Sequence, residues 1–438
     1  MTQGVLAPPV TGVPKIPGVT YSGEMASPPW RLAVASVLAV ATTLVMPSAQ
    51  AATAGTGITR WTNTADFAAG TSNGVEAAGG AIKISQPVST LTHVDTYGDK
   101  KTRTYSYGTW QSPWVTTAFP TRTLVPSWSA ATPSGTWIRV ELRGKTATKT
   151  GSWDTIAYWS SSTAGLHRTS LSAQTDDLAK VDVDTAVTNG STRFTSWQVR
   201  VLLARPKGWS ATPTIWSIGG VAASYLTRSA SVSATTMTAD TELAVPKYSQ
   251  MIHKGEFPQW GGGGEAWCSP TSTSMVLRFF GKGPTAADYS WSPYTDSWVD
   301  HAAQDTYDYR YEGTGNWPFN TAYAGRYGLD AFVTRLNNLR DAEAFIKKGI
   351  PVVASIAFAS GQLAGSPISS SAGHLLVIRG FMKDGRVIVN DPAAASNSTV
   401  RRVYNRSQFE KAWLGGSGGT VYVVHPTTTP LPTDTPRW

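Results

Sequence analysis

The chain has 438 residues, which is enough for two or three domains of ordinary size. Its 41% hydrophobic and 15% charged content is typical of a globular protein and excludes a largely disordered one. The net charge of +9 comes from scattered Lys and Arg residues, whereas nucleic-acid binding needs a concentrated basic stripe. We therefore expect no nucleic-acid partner.

The first 51 residues have the pattern of a secretory signal region. Arg31 precedes an apolar stretch at residues 32–46, and Ala49-Gln50-Ala51 follows as a small-x-small cleavage site. The stretch is shorter than the roughly 20 apolar residues that a membrane span needs. We therefore predict a secreted, extracellular chain with no membrane association after cleavage. Translation from Met25 is the alternative start, because it gives a signal peptide of normal length.

Residues 55–228 are predicted to form an all-β sandwich of the jelly-roll type. Apolar and polar residues alternate over residues 137–143 and 197–203, and turns rich in Gly, Ser, Thr and Pro separate such segments. Ten tryptophans lie in this region. They either build the core or, where exposed, bind sugar rings. The region is therefore interpreted as a β-sandwich domain that is a candidate for binding carbohydrate or cell-wall polysaccharide.

Three further segments follow in chain order. Residues 229–242 are rich in Ser, Thr and Ala and are predicted to be a linker. Residues 243–426 are predicted to be an α+β domain that carries the chemistry. Residues 427–438 are rich in Pro and Thr and are predicted to be a disordered tail.

Cys268 is the only cysteine of the chain, so an internal disulfide is impossible. Pro270 suits the first turn of a helix, and Met275 and Phe279 recur at helical spacing. Four glycines at residues 261–264 precede the cysteine. The pattern predicts a loop that places Cys268 at the N-terminus of a buried helix, where the helix dipole favours a thiolate. A buried structural cysteine is the alternative.

A candidate base and a candidate orienting residue follow on two strands. His374 opens an apolar run at residues 375–381, and Asp384-Gly385 is a hairpin signal. The strand after this turn ends at Asp391, so antiparallel pairing would bring Asp391 beside His374. A base held by a third group is the general arrangement that activates a nucleophile. A packed core histidine and a turn-forming aspartate are the alternatives.

Five motifs together resemble a known family. They are Val245-Pro246-Lys247-Tyr248-Ser249-Gln250, Cys268-Ser269-Pro270-Thr271-Ser272, Gly349-Ile350-Pro351-Val352-Val353, Gly373-His374 and Asn390-Asp391-Pro392. In this order they resemble the bacteriocin-processing-type cysteine peptidases, family thirty-nine of the cysteine peptidases, within the papain-like superfamily. The resemblance covers roughly residues 243–426. It implies a papain-like fold and a Cys268, His374 and Asp391 triad.

The resemblance also implies a glutamine that donates a hydrogen bond to the oxyanion. Gln250 closes the opening motif and is the candidate, although the chain departs from the family pattern by separating it from Cys268 with a Gly-rich insertion. Gln259 is nearer to the cysteine and is the alternative.

These patterns predict a secreted cysteine peptidase that acts on a peptide or protein substrate through a thioacyl-enzyme. The alternatives are an acyltransferase or a peptidoglycan-peptide amidase on the same triad, or an inactive peptidase-like binding protein. No cofactor is expected, and no metal, because spacings such as HxxxH and CxxC do not occur.

Overall fold

Three antiparallel sheets and six α-helices make up the described part of the protein. The structure is a computed structural model that describes residues 55–172, 174–175, 177–229 and 231–433. The predicted signal region and Met25 lie outside the described residues. Within the described ranges, no helix is both long enough and apolar enough to cross a bilayer.

Two of the sheets are built from residues 55–223, as the alternating pattern predicts. The first has the strand order β12-β13-β8-β15-β4-β3, with β1 paired to β15. The second has the order β11-β10-β9-β14-β6-β2, with β5 on β6 and β7 on β14. The elements are β1 (Thr56–Trp61), α1 (Thr64–Ala68), β2 (Thr71–Asn73), β3 (Val75–Ala78), β4 (Ala81–Ile84), β5 (Ser89–Val94), β6 (Thr102–Gln111), β7 (Val115–Thr121), β8 (Thr123–Ala131), β9 (Trp137–Lys145), β10 (Asp154–Trp159), β11 (Thr169–Ser170), β12 (Ala179–Asp182), β13 (Thr185–Thr188), β14 (Phe194–Pro206) and β15 (Thr214–Ala223).

The third sheet and the longer helices belong to the C-terminal region. Its strand order is β17-β22-β18-β19-β20-β21, with β16 paired to β19. The predicted β-rich N-terminal part and α+β C-terminal part are both confirmed. The elements are β16 (Thr241–Glu242), α2 (Cys268–Phe279), α3 (Ser297–Thr306), α4 (Trp317–Gly325), β17 (Asp330–Arg335), α5 (Leu339–Lys347), β18 (Val352–Phe358), β19 (Ser371–Phe381), β20 (Val387–Asn390), β21 (Arg401–Tyr404), α6 (Arg406–Ser417) and β22 (Thr420–His425).

One hydrophobic core runs through the two N-terminal sheets and into the C-terminal region. Trp128 of β8 and Trp159 of β10 come from opposite sheets, and their ring centroids lie 6.2 Å apart. Phe319 of α4 packs against both rings, at 6.2 Å from Trp128 and 5.1 Å from Trp159. All three side chains are completely buried. The N-terminal part is therefore packed against the C-terminal part through its own core aromatics.

Buried polar contacts also join the two parts. Arg168 is fully buried, and its guanidinium donates to the Ser160 carbonyl at 2.9 Å and to the Gln304 carbonyl at 2.7 Å. Asp184, just before β13, accepts a hydrogen bond from the backbone N–H of Trp317 at 2.8 Å. A carboxylate at the first turn of α4 stabilises that helix terminus. The start of α4 is thus held by a residue of the N-terminal part.

The segment predicted as a linker lies along the C-terminal region. Ser233 donates its backbone N–H to Glu410 at 2.8 Å, and Thr235 donates its hydroxyl to Glu343 at 2.7 Å. Both glutamates are completely buried, and Arg406 donates to Glu343 at 2.6 Å. These charge-assisted bonds hold the segment against α5 and α6.

We predict that Arg168→Met destabilises the whole protein, because it leaves one buried and one partly buried carbonyl oxygen without their guanidinium donor. The expected loss is about 3 kcal/mol in the free energy of unfolding, measured by urea denaturation. Arg103→Met is the matched control, since Arg103 pairs with Asp99 on the surface. An Arg168→Met protein as stable as the control would contradict this account of the interface.

Candidate active site

Cys268 is the first residue of α2, as the Pro270 signal predicts. Residues 261–263 take positive φ angles of 80°, 99° and 108°, which glycine adopts without strain. Trp267, which precedes the cysteine, is completely buried and donates its indole N–H to the Trp260 carbonyl at 2.7 Å. The loop therefore reaches the helix by a fixed path, and Cys268 stays partly exposed at the helix N-terminus.

Helix α2 lies against β19 and β20 of the third sheet. Ser272, one turn after Cys268, donates its hydroxyl to the Leu375 carbonyl of β19 at 3.2 Å. Met275, one turn further, lies 3.5 Å from the side-chain amide of Asn390. These contacts align the start of α2 with the start of β19, where His374 lies, and the end of β20, where Asp391 follows.

His374 and Asp391 form a buried pair. The hairpin predicted at Asp384-Gly385 is present, with β19 and β20 antiparallel and Gly385 at a φ of 87°. His374 is 3% exposed and Asp391 is fully buried, and His374 Nε2 lies 2.8 Å from Asp391 Oδ1. Because Asp391 occupies Nε2, the ring nitrogen left for Cys268 is Nδ1.

Two further groups hold the Asp391 carboxylate. The Tyr404 hydroxyl donates to Oδ2 at 2.7 Å, and the backbone N–H of Ala393 donates to Oδ1 at 3.0 Å. Burial alone raises the pKa of Asp391, but the His374 charge and these hydrogen bonds outweigh burial and lower that pKa. Asp391 is therefore held as a carboxylate that fixes the tautomer and the orientation of the imidazole.

The electrostatics of the site favour the imidazolium form of His374. Burial alone lowers the pKa of His374. The Asp391 charge, the hydrogen bond to Asp391 and the interaction with Cys268 act in the opposite direction and raise this pKa to about 10. The three predicted residues Cys268, His374 and Asp391 are therefore brought together in one interacting group.

The two glutamine candidates lie in different surroundings. Gln250 is 4% exposed, and its amide donates to the Glu265 carbonyl in the loop before Cys268 at 2.6 Å. Its backbone N–H donates to the Pro392 carbonyl, next to Asp391, at 2.9 Å. Gln250 thus lies between the cysteine loop and the end of β20. Gln259 is exposed at a turn.

Sequence reasoning missed Tyr404. It lies on β21, which pairs with β20 so that Tyr404 is opposite Val387. The alternation Arg402-Val403-Tyr404 is a strand signal, but no local pattern shows that this hydroxyl reaches an aspartate at a distance of 13 positions in sequence.

We predict that Asp391→Asn lowers the pKa of His374 from about 10, because burial is then opposed by the interaction with Cys268 alone and no longer by the carboxylate. NMR titration of the histidine side chains measures the pKa of His374. Asp95→Asn is the control, because it removes the carboxylate partner of His167 and leaves Asp391 in place. Because the pKa of His374 is higher in the folded than in the unfolded state, protonated His374 stabilises the native state. This contribution to the free energy of unfolding is complete below pH 6.5 and is lost as the pH rises through about 10. An unchanged His374 titration in Asp391→Asn would contradict the assignment.

Comparisons with known proteins place two parts of the chain in described families. Residues 57–223 match the family model described as Peptidase C39 N-terminal domain, and residues 242–420 match the Peptidase_C39 like family. A solved structure described as a C39-like peptidase from Bacillus anthracis is 16% identical, covers 42% of this chain and 96% of that chain, and superposes with a TM-score of 0.27. No curated protein matches the chain. The two family-model matches confirm the resemblance to family thirty-nine of the cysteine peptidases that the motifs of residues 243–426 predict.

Proposed function

We propose that the protein is a secreted cysteine peptidase of papain-like fold. Cys268 is the nucleophile, His374 is the general base and general acid, and Asp391 orients the imidazole of His374. The observation that carries the proposal is the buried 2.8 Å contact between His374 and Asp391 beside a cysteine at a helix N-terminus. A helix that begins with cysteine and packs on the sheet bearing the histidine is the arrangement that thiol activation needs.

The proposed reaction is hydrolysis of a peptide or amide bond in two steps. The Cys268 thiolate attacks the carbonyl carbon, the C–N bond breaks, and imidazolium His374 gives its Nδ1 proton to the leaving amine. His374 then takes a proton from water, the resulting hydroxide attacks the thioester, and the C–S bond breaks to release the acid. Asp391 remains a carboxylate throughout and stabilises the imidazolium.

Gln250 is proposed to stabilise the oxyanion of each tetrahedral intermediate. One amide hydrogen is used by the Glu265 carbonyl, which holds the side chain in place, and the second remains for the substrate oxygen. A preorganised donor of this kind acts on the transition state more strongly than on the bound substrate.

Secretion and wall binding are also proposed, from the N-terminal pattern and from the tryptophans. Trp61, Trp110, Trp128, Trp137, Trp159 and Trp197 are buried and belong to the core. Within residues 55–228, the exposed tryptophans are Trp209 and Trp216, at 53% and 38% exposure. These two are the residues we propose for contact with sugar rings of a cell-wall polysaccharide.

We predict that His374→Ala slows alkylation of Cys268 by iodoacetamide at pH 6 by roughly 100-fold, because the reactive thiolate loses the imidazolium that stabilises it. The chain has one thiol, so intact mass reports this reaction alone. His167→Ala is the matched control, because His167 forms a similar 2.6 Å pair with Asp95 in the N-terminal part. Equal rates in the wild type and in His374→Ala would refute the proposed activation of the thiol.

We predict that Gln250→Ala slows acylation of Cys268 by p-nitrophenyl acetate by about 10²- to 10³-fold, as expected for loss of one oxyanion donor. Alkylation by iodoacetamide should remain at the wild-type rate, because alkylation forms no oxyanion. Gln259→Ala is the control, since Gln259 is exposed, and it should change neither rate. If both reactions slow equally in Gln250→Ala, then the residue supports the loop and not the oxyanion.

A further inference from the structure

A second group of ionisable side chains lies behind the Gln250 turn. His253, Glu256 and Asp300 each offer one ligand atom, and these atoms all lie within 4.8 Å of one another. His253 Nδ1 is 2.8 Å from Glu256 Oε2 and 3.0 Å from Asp300 Oδ1. His253 and Asp300 are completely buried, whereas the Glu256 side chain is 13% exposed. None of the three takes part in the proposed peptidase chemistry.

This group has too few hydrogen-bond donors for its acceptors. Nδ1 of an imidazole carries at most one hydrogen, yet two carboxylate oxygens face it. Asp300 Oδ2 accepts from the Ser292 hydroxyl, but Asp300 Oδ1 has no hydrogen-bond partner among the described residues. A fully buried carboxylate oxygen within 4.8 Å of a second carboxylate oxygen is costly unless a cation or a proton lies between them.

The two carboxylates also lack a basic side chain. In the described part of the chain, the only ion-pair partner of Glu256 or Asp300 is His253, and neither carboxylate contacts a Lys or an Arg. Even a protonated His253 leaves the group with one net negative charge. A divalent cation would neutralise both carboxylates and give Asp300 Oδ1 a partner.

We propose that His253, Glu256 and Asp300 bind a divalent transition-metal cation, with Zn²⁺ as the best fit. Imidazole nitrogen favours Zn²⁺ over Ca²⁺ and Mg²⁺, which prefer oxygen ligands alone. Bonds of about 2.0–2.2 Å to a tetrahedral zinc place neighbouring ligand atoms roughly 3.4 Å apart. The two nitrogen–oxygen distances of 2.8 and 3.0 Å are within about 0.6 Å of this spacing, so small side-chain shifts would admit the ion.

A cation bound by His253, Glu256 and Asp300 would have a structural role, because these residues come from separate segments of the chain. His253 ends the short 3-10 turn Gln250–His253, and Asp300 lies on α3. A bound cation would therefore tie the turn that carries Gln250 to a helix of the core. Glu256 lines a surface pocket with Ile252 and Tyr294, which gives ions a route from solvent.

The test is Zn²⁺ titration by calorimetry of the untagged full chain carrying Cys268→Ser, which removes the competing thiol. The chain is first freed of metal with dipicolinate. We expect one Zn²⁺ per chain, a rise in melting temperature on binding, and a Co²⁺ visible spectrum typical of nitrogen and oxygen ligands. In Glu256→Gln and in Asp300→Asn, Zn²⁺ affinity should fall by at least about tenfold, since even outer-shell changes cost 10- to 100-fold.

Asp95→Asn in the same background is the matched control, because it breaks a different carboxylate–histidine pair, His167 with Asp95, in the N-terminal part. Its Zn²⁺ affinity should equal that of the parent. Glu256→Gln keeps the test decisive if Asp300→Asn fails to fold, because Glu256 reaches the surface. No stoichiometric binding by the parent, binding retained in Glu256→Gln, or an equal loss in the control would each overturn the proposal. Since the readouts are metal binding and melting temperature, failure here leaves the peptidase proposal unaffected.

Discussion

The buried charge of Asp391 is the constraint on which the C-terminal region depends. An uncompensated carboxylate in this position would cost several kcal/mol, so its three donors must all be present. They come from β19, from β21 and from the backbone just after β20. A slip of one residue in either strand pairing would turn His374 or Tyr404 to the opposite face of the sheet. The register of three strands and the geometry of the site are therefore fixed by the same hydrogen bonds.

The N-terminal part supports the candidate active site by packing against α4, which in turn contacts α2. Phe319 fills the space between Trp128 and Trp159, and Asp184 holds the first turn of α4. The pKa of Asp184 is raised to about 7, because its burial outweighs the hydrogen bonds from Trp317 and Thr185. Helix α4 in turn contacts α2 through Asn320, which lies 3.3 Å from the Thr273 hydroxyl. The helix that carries Cys268 is thus supported by residues that the N-terminal sheets position.

Local sequence patterns are sufficient to predict the strands, the start of α2 and the hairpin that follows His374. Pro270 and the Asp384-Gly385 turn each determine the conformation of only a few neighbouring residues. Their effect can therefore be predicted from the local sequence, without knowing the tertiary structure. The contacts of Tyr404 and Asp184 could not be predicted in this way, because they join residues that no periodicity relates. His253 lies in a polar stretch and is nevertheless buried, because Asp300 approaches it from a separate helix.

The hydrophobic core shared by the N-terminal and C-terminal parts also limits when the N-terminal part can finish folding during synthesis. The strands that carry Trp128 and Trp159 leave the ribosome long before Phe319 is translated. Until then, two large indole rings have no cover on the side that faces α4. Such transiently exposed aromatic surface promotes aggregation of nascent chains. In the first half of this protein, that surface becomes covered only when α4 has been synthesised and has packed against it.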